Sequence, residues 1–190
     1  MRTDRTQISP RTLLVARLVA IVLFALLTWA AAWTRIPIPG TPVPMTFQTL
    51  AVLLSGAVLG PFRGAASQAL YLGLGLIGLP VFAGSGAGMA YLAGPTAGYL
   101  AGFVLASLFV GGMLGKRREP GILKLFLVVL AGSLIISCAG VLYLALYMGG
   151  NFWAALLQGA LIFTPWDLLK VVAAAGGARL LLPVRRYLQS

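Results

Sequence analysis

Histidine is absent from the 190 residues, cysteine occurs once, and only three residues are acidic. With no histidine and Cys138 alone, a conventional transition-metal cage is nearly excluded and an intrachain disulfide has no partner. Charged residues make up only 9% of the chain, against about 25% in a soluble domain. A nucleotide-binding loop is also missing. Gly115-Lys116 comes nearest to G-x-x-x-x-G-K-[ST], but Val110 stands at the first glycine position and Arg117 follows the lysine.

What is there is apolar. Hydrophobic residues account for 60% of the chain and the mean hydropathy is +0.98, the composition of an integral membrane protein. The net charge of +11 lies in short basic clusters between apolar runs. That pattern sets membrane topology and does not make a nucleic-acid surface.

A hydrocarbon core of about 30 Å takes roughly 20 residues per helix, which leaves room for about six spans and no separate soluble domain. The apolar runs predict an all-α bundle of six transmembrane helices in one domain, residues 1–190. The spans fall at about 13–33, 47–60, 65–79, 96–114, 125–148 and 152–182. The first run has no small-x-small cleavage site after it and reads as a span, not a removed signal. Basic residues in the N-terminal tail, at Arg63, in 116–124 and at the C-terminus place both termini in the cytoplasm. Gly56-x-x-x-Gly60, Gly98-x-x-x-Gly102 and Gly111-x-x-x-Gly115 read as close helix crossings, as does Ala16-x-x-x-Ala20.

Two outer connections are unusual. Pro37, Pro39, Pro42 and Pro44 forbid a regular helix in a stretch that is otherwise apolar, so it folds back over the bundle or lines a cavity. Residues 80–95 carry no charge and are rich in glycine, which lets backbone N–H and C=O groups approach a ligand.

Asp4 and Glu119 lie in hydrophilic flanks, so Asp167 is the one acid inside an apolar span, with Lys170 on the same helix face. A charge at bilayer depth costs several kcal/mol unless paired or facing a wet cavity, and it points to a functional site. The plain alternative is a pair that only pins helix packing. Pro165 predicts a kink just before it. An intramembrane hydrolase using Asp167, Lys170 and a hydroxyl of Ser85, Ser133 or Ser137 is a second reading, and an assembly protein a third. An aspartyl dyad would need a second acid, and a Ser/Lys pair needs a geometry the sequence does not show. Binding without chemistry suits one acceptor, one cation and apolar walls better, with no metal and no cofactor.

Four motifs in order, Pro37-Ile-Pro39-Gly-Thr-Pro42-Val-Pro44-Met-Thr46-Phe-Gln48-Thr49, Leu79-Pro-Val-Phe-Ala-Gly84, Gly94-Pro-Thr-Ala-Gly98-Tyr-Leu and Asp167-Leu-Leu-Lys170, resemble the BioY family. These are the biotin-specific S components of energy-coupling factor (ECF) transporters, and the resemblance covers nearly the whole chain. It implies a six-helix bundle in a bacterial or archaeal cytoplasmic membrane. That bundle binds biotin under its outer loops and works with a transmembrane coupling protein and cytoplasmic ATP-binding-cassette ATPases. It implies that Asp167 accepts a ureido N–H of biotin, and that Lys170 holds Asp167 ionised or approaches a ligand oxygen. Thr46 and Gln48 reach the pocket from the first loop, and Phe82, Tyr91 and Tyr143 form walls. The helix start at Thr96 faces the valerate carboxylate. The family often carries a polar residue, commonly Asn, after Pro-Val-Phe; here Ala83, Gly84 and Ser85 stand there, so Ser85 or the Gly84 backbone takes its place. Ala16 and Ala20 resemble the docking face for the coupling protein. An S component for another vitamin is the neighbouring alternative.

Overall fold

The computed structural model describes residues 9–115 and 120–189. The polar tail with Arg2 and Arg5, and Lys116, Arg117, Arg118 and Glu119, lie outside the described residues. The described chain is helical with no β-strand, apart from isolated bridges Ile36↔Met45 and Phe82↔Gly86.

Helix boundaries follow the proline and glycine punctuation. Helix α1 (Pro10–Ala32) starts on a proline, whose missing N–H is one the first turn leaves unused anyway. Helices α2 (Gln48–Leu59) and α3 (Pro61–Leu76) are joined by Gly60 alone, at φ +85°, with Pro61 opening the next helix. A short α4 (Gly88–Leu92) precedes α5 (Ala97–Leu114) and α6 (Ile122–Tyr147). Gly149 and Gly150, both at positive φ, turn the chain into α7 (Phe152–Gly159), which Asn151 caps by accepting from the Ala154 N–H.

The last predicted span is not one helix. At Ala160 (φ −132°, ψ −58°) the helix stops; Leu161–Phe163 form a 3₁₀ turn, and α8 (Thr164–Leu180) begins anew. The expected kink at Pro165 therefore falls ahead of it. Pro165 lies in the first turn of α8, where proline breaks no hydrogen bond. Beyond Leu181, α9 (Leu182–Gln189) is a separate amphipathic helix.

Helices α1, α5, α6 and the stretch Phe152–Leu180 are long and apolar enough to cross a membrane, while α2 is a shorter apolar helix. Helix α1 exposes Leu14, Leu18, Val22 and Leu26 among other large apolar side chains, a face suited to lipid or to a partner. Helix α5 packs most extensively on α6, and glycine sets the spacing: a methyl on Gly98 would overlap the Ala139 carbonyl of α6.

One end of the bundle is locked by α9. The Arg185 guanidinium, 3% exposed, donates to the carbonyls of Ala57 at the end of α2 and Gly115 at the end of α5. A cation suits helix C-termini, where unpaired carbonyls carry partial negative charge. Burial lowers the pKa of this guanidinium below its usual value. Arg17 and Arg63 both donate to the Leu188 carbonyl, at 2.9 and 2.6 Å.

Candidate functional site

At the opposite end, irregular chain surrounds a cavity of about 70 Å³. The proline segment crosses the bundle mouth, held by the Ile36↔Met45 bridge and by the Phe47 N–H donating to Thr34 Oγ1. It inserts Val43 and Met45 into a buried cluster with Val141, Leu144, Ala155 and Phe163. Thr41 Oγ1 donates to the Gln158 carbonyl at 2.7 Å, tying the segment to the broken helix.

The floor of the cavity is an ion pair. Helix α8 brings Asp167 and Lys170 to the same face, with Lys170 Nζ 3.0 Å from Asp167 Oδ1. Lys170 is 5% exposed and Asp167 22%. The carboxylate is the more open partner, so it is the one positioned to accept a donor entering from the cavity.

A second polar edge comes from the start of α2. The Gln48 amide donates to the Tyr71 hydroxyl at 2.6 Å, and Tyr71 donates to the Val81 carbonyl at 3.2 Å. Gln48 Oε1 accepts from Thr46 Oγ1. This chain of bonds connects the cavity wall to the glycine loop. Behind it Phe82 fills the space over Gly75, where a methyl would collide with its ring, and stacks on Tyr91 with centroids 4.8 Å apart.

Of the residues the sequence pointed to, Asp167, Lys170, Thr46, Gln48, Tyr91 and Thr96 all line the cavity. Gly84 lies on an outer recess at the mouth, together with Arg35, Thr96 and Tyr91. The remaining three stand elsewhere. Phe82 is core, one layer behind Tyr91. Ser85 is exposed at φ +58°, outside the cavity lining. Tyr143 is spent on the Ala93 carbonyl at 3.2 Å. Ala16 and Ala20 are half-buried against Val58, Leu59 and Leu188.

The structure adds walls that periodicity hides inside an apolar helix: Tyr99 and Phe103 on α5, Ile136 and Ser137 on α6, and Phe163 in the 3₁₀ turn. It also adds a cation at the mouth, since the Arg35 guanidinium lies against Gly84. Among the described residues no group of three or more His, Cys, Asp or Glu gathers to hold a metal ion. The geometry is that of a binding pocket: one acceptor with its cation at depth, apolar and aromatic walls, and a second cation outside.

Comparison with known proteins points the same way. The model of the BioY family matches residues 3–187. A probable biotin transporter BioY of Lysinibacillus sphaericus is 42% identical over 136 residues, 72% of this chain and 67% of that protein. The biotin transporter BioY of Thermotoga maritima is 41% identical over 153 residues, 80% of this chain and 88% of that one. Among solved structures, the S-component for biotin from an ECF-type ABC transporter matches with a TM-score of 0.83. Sequence identity to it is 26%, over 92% of this chain and 94% of that one.

Proposed function

The chain belongs to the BioY family, and from that premise we propose that it is the biotin-capturing S component of an ECF-type uptake transporter. The observation that carries the reading is the Asp167–Lys170 pair at the floor of an aromatic-walled pocket in a membrane bundle. Biotin enters ureido ring first. A ureido N–H donates to Asp167, a charge-assisted bond that strengthens in a site closed to water. The thioether ring lies against Tyr99, Phe103 and Phe163. The valerate runs outward past Thr96 to the mouth, where Arg35 offers a cation in place of the polar loop residue common in the family.

The chain crosses the membrane six times, with α2 and α3 as its two short crossings and both termini in the cytoplasm. The distribution of basic residues supports that orientation. A transmembrane coupling protein meets α1 along its exposed face of Leu14, Leu18 and Val22. The expected docking residues Ala16 and Ala20 lie beside that face and turn partly inward against Val58, Leu59 and Leu188. Separate ATPases supply the energy. Biotin is cargo; the protein does no chemistry on it.

Calorimetric titration of biotin into the purified protein, beside Asp167→Ala, tests the reading. Stoichiometric binding that the substitution abolishes is expected. No binding by the unaltered protein would sink the proposal and call for a panel of other vitamins.

A further inference from the structure

The interruption before α8 leaves backbone carbonyls without their helical partners, and an unpaired carbonyl in a membrane bundle is costly. Two of them are met by hydroxyls from distant parts of the chain. Thr41 Oγ1, on the proline segment, donates to Gln158 O at 2.7 Å. Tyr99 Oη, on α5, donates to Gly159 O, also at 2.7 Å.

Both hydroxyls sit in places built for them. The Thr41 oxygen in turn accepts the Val43 N–H at 3.1 Å, so the segment's own backbone holds it. The Tyr99 ring lies in a slot made by two glycines: a methyl on Gly140 of α6 would overlap the ring, and one on Gly159 would overlap the hydroxyl. The same region is closed by one apolar cluster, in which Val43 and Met45 of the segment pack with Ala155 and Phe163 on either side of the break, and Tyr99 packs against them. Asp167 follows only four residues after Phe163. The direction in which α8 leaves the break therefore sets where the Asp167 carboxylate points.

We infer that Tyr99 and Thr41 are positioning residues that clamp the interrupted helix, so that the outer proline segment and the Asp167 carboxylate are ordered as one unit. Opening the segment to admit or release a ligand then loosens the acceptor at the pocket floor, and a seated ligand tightens both. The inference rests on the proposed biotin site for its consequence but not for its mechanics.

Hydrogen exchange on the ligand-free protein in lipid nanodiscs tests the mechanics. The decisive signals are the cross-effects. Thr41→Val is expected to accelerate amide exchange in residues 160–164, and Tyr99→Phe to accelerate it in residues 41–47, each by roughly tenfold, the scale of one lost bond to a part-buried carbonyl. Thr41→Ser keeps the hydroxyl and restores the slow rates. Exchange that rises only beside each substitution, leaving the other segment unchanged, overturns the clamp. A second arm measures biotin affinity, with a loss on the order of tenfold expected in Tyr99→Phe and recovery in Thr41→Ser relative to Thr41→Val. Absence of biotin binding in the unaltered protein would strike the proposed ligand, while the exchange cross-effects would still decide the clamp.

Discussion

Lys170 Nζ and Asp167 Oδ1 stand 3.0 Å apart, with the lysine the more deeply buried of the two. Removing either partner leaves the other charge in an apolar setting, whereas removing both does not. Breaking a buried pair costs about 3–5 kcal/mol, and the partial exposure of Asp167 places this pair at the low end. Lys170→Met is expected to destabilise the protein more than the double change Asp167→Asn with Lys170→Met. Denaturation in detergent micelles measures the difference. A double variant no more stable than Lys170→Met would mean that the pair is not what holds the lysine in place.

The crossing of α2, α3 and α5 gives a second test. A methyl on Gly56 would overlap the Ser107 carbonyl of α5, and Gly64 of α3 lies close on its other side. Gly56→Ala is expected to cost about 1–3 kcal/mol through backbone displacement. Gly112→Ala, on α5 with open space around it, is expected to be neutral or to gain up to about 1 kcal/mol from reduced unfolded-state freedom. Melting temperatures of the two variants should move in opposite directions or differ by several degrees.

Arg185 supplies a third. Its fork reaches two helix ends at once, which a single ammonium does not reproduce. Arg185→Lys should therefore destabilise nearly as much as Arg185→Met, by about 2–3 kcal/mol for carbonyls left with weaker partners. Because the residue lies at the end of the bundle away from the cavity, biotin affinity of the folded fraction should not change. A lysine variant as stable as the parent protein would show that charge alone suffices.

Much of this architecture could be read from the sequence where local chemistry decides it. The Pro37–Pro44 run announces irregular backbone over the mouth. The turn between the second and third spans is also announced, but at residues 61–64, whereas Gly60 alone makes it and α3 already begins at Pro61. Asp167 and Lys170 were visible because charge is so scarce around them. The helix break was not visible, since Ala160 to Phe163 contain neither glycine nor proline. Its partners Thr41 and Tyr99 lie 117 and 60 residues from the carbonyls they serve. The one proline nearby, Pro165, suggested a kink in the wrong place because a proline at a helix start and one inside a helix look alike in sequence. Tyr99 and Phe103 were hidden for a related reason. In a segment that is apolar on every side, periodicity cannot tell a cavity wall from lipid-facing or core positions. Phe82 and Tyr143, expected as walls, lie outside the cavity lining, because aromatic character says nothing about which layer a ring occupies.

Arg35 carries the last prediction. It lies in the outer recess with Gly84 and Thr96. If the valerate carboxylate ends there, the guanidinium contributes to affinity through that charge. The side chain is exposed, so water and salt weaken the attraction, and a rim ion pair of this kind is worth about 0.2–1 kcal/mol, or up to roughly fivefold in affinity. Arg35→Gln should reduce biotin affinity by that factor at low salt and by less at high salt. Biotin amide, which keeps the ureido ring and lacks the carboxylate, separates charge from packing. Its affinity should be the same for the variant and the parent protein. An equal loss for both ligands would instead assign Arg35 to holding the glycine loop through its contact with Gly84, and would leave the carboxylate to the backbone near Thr96.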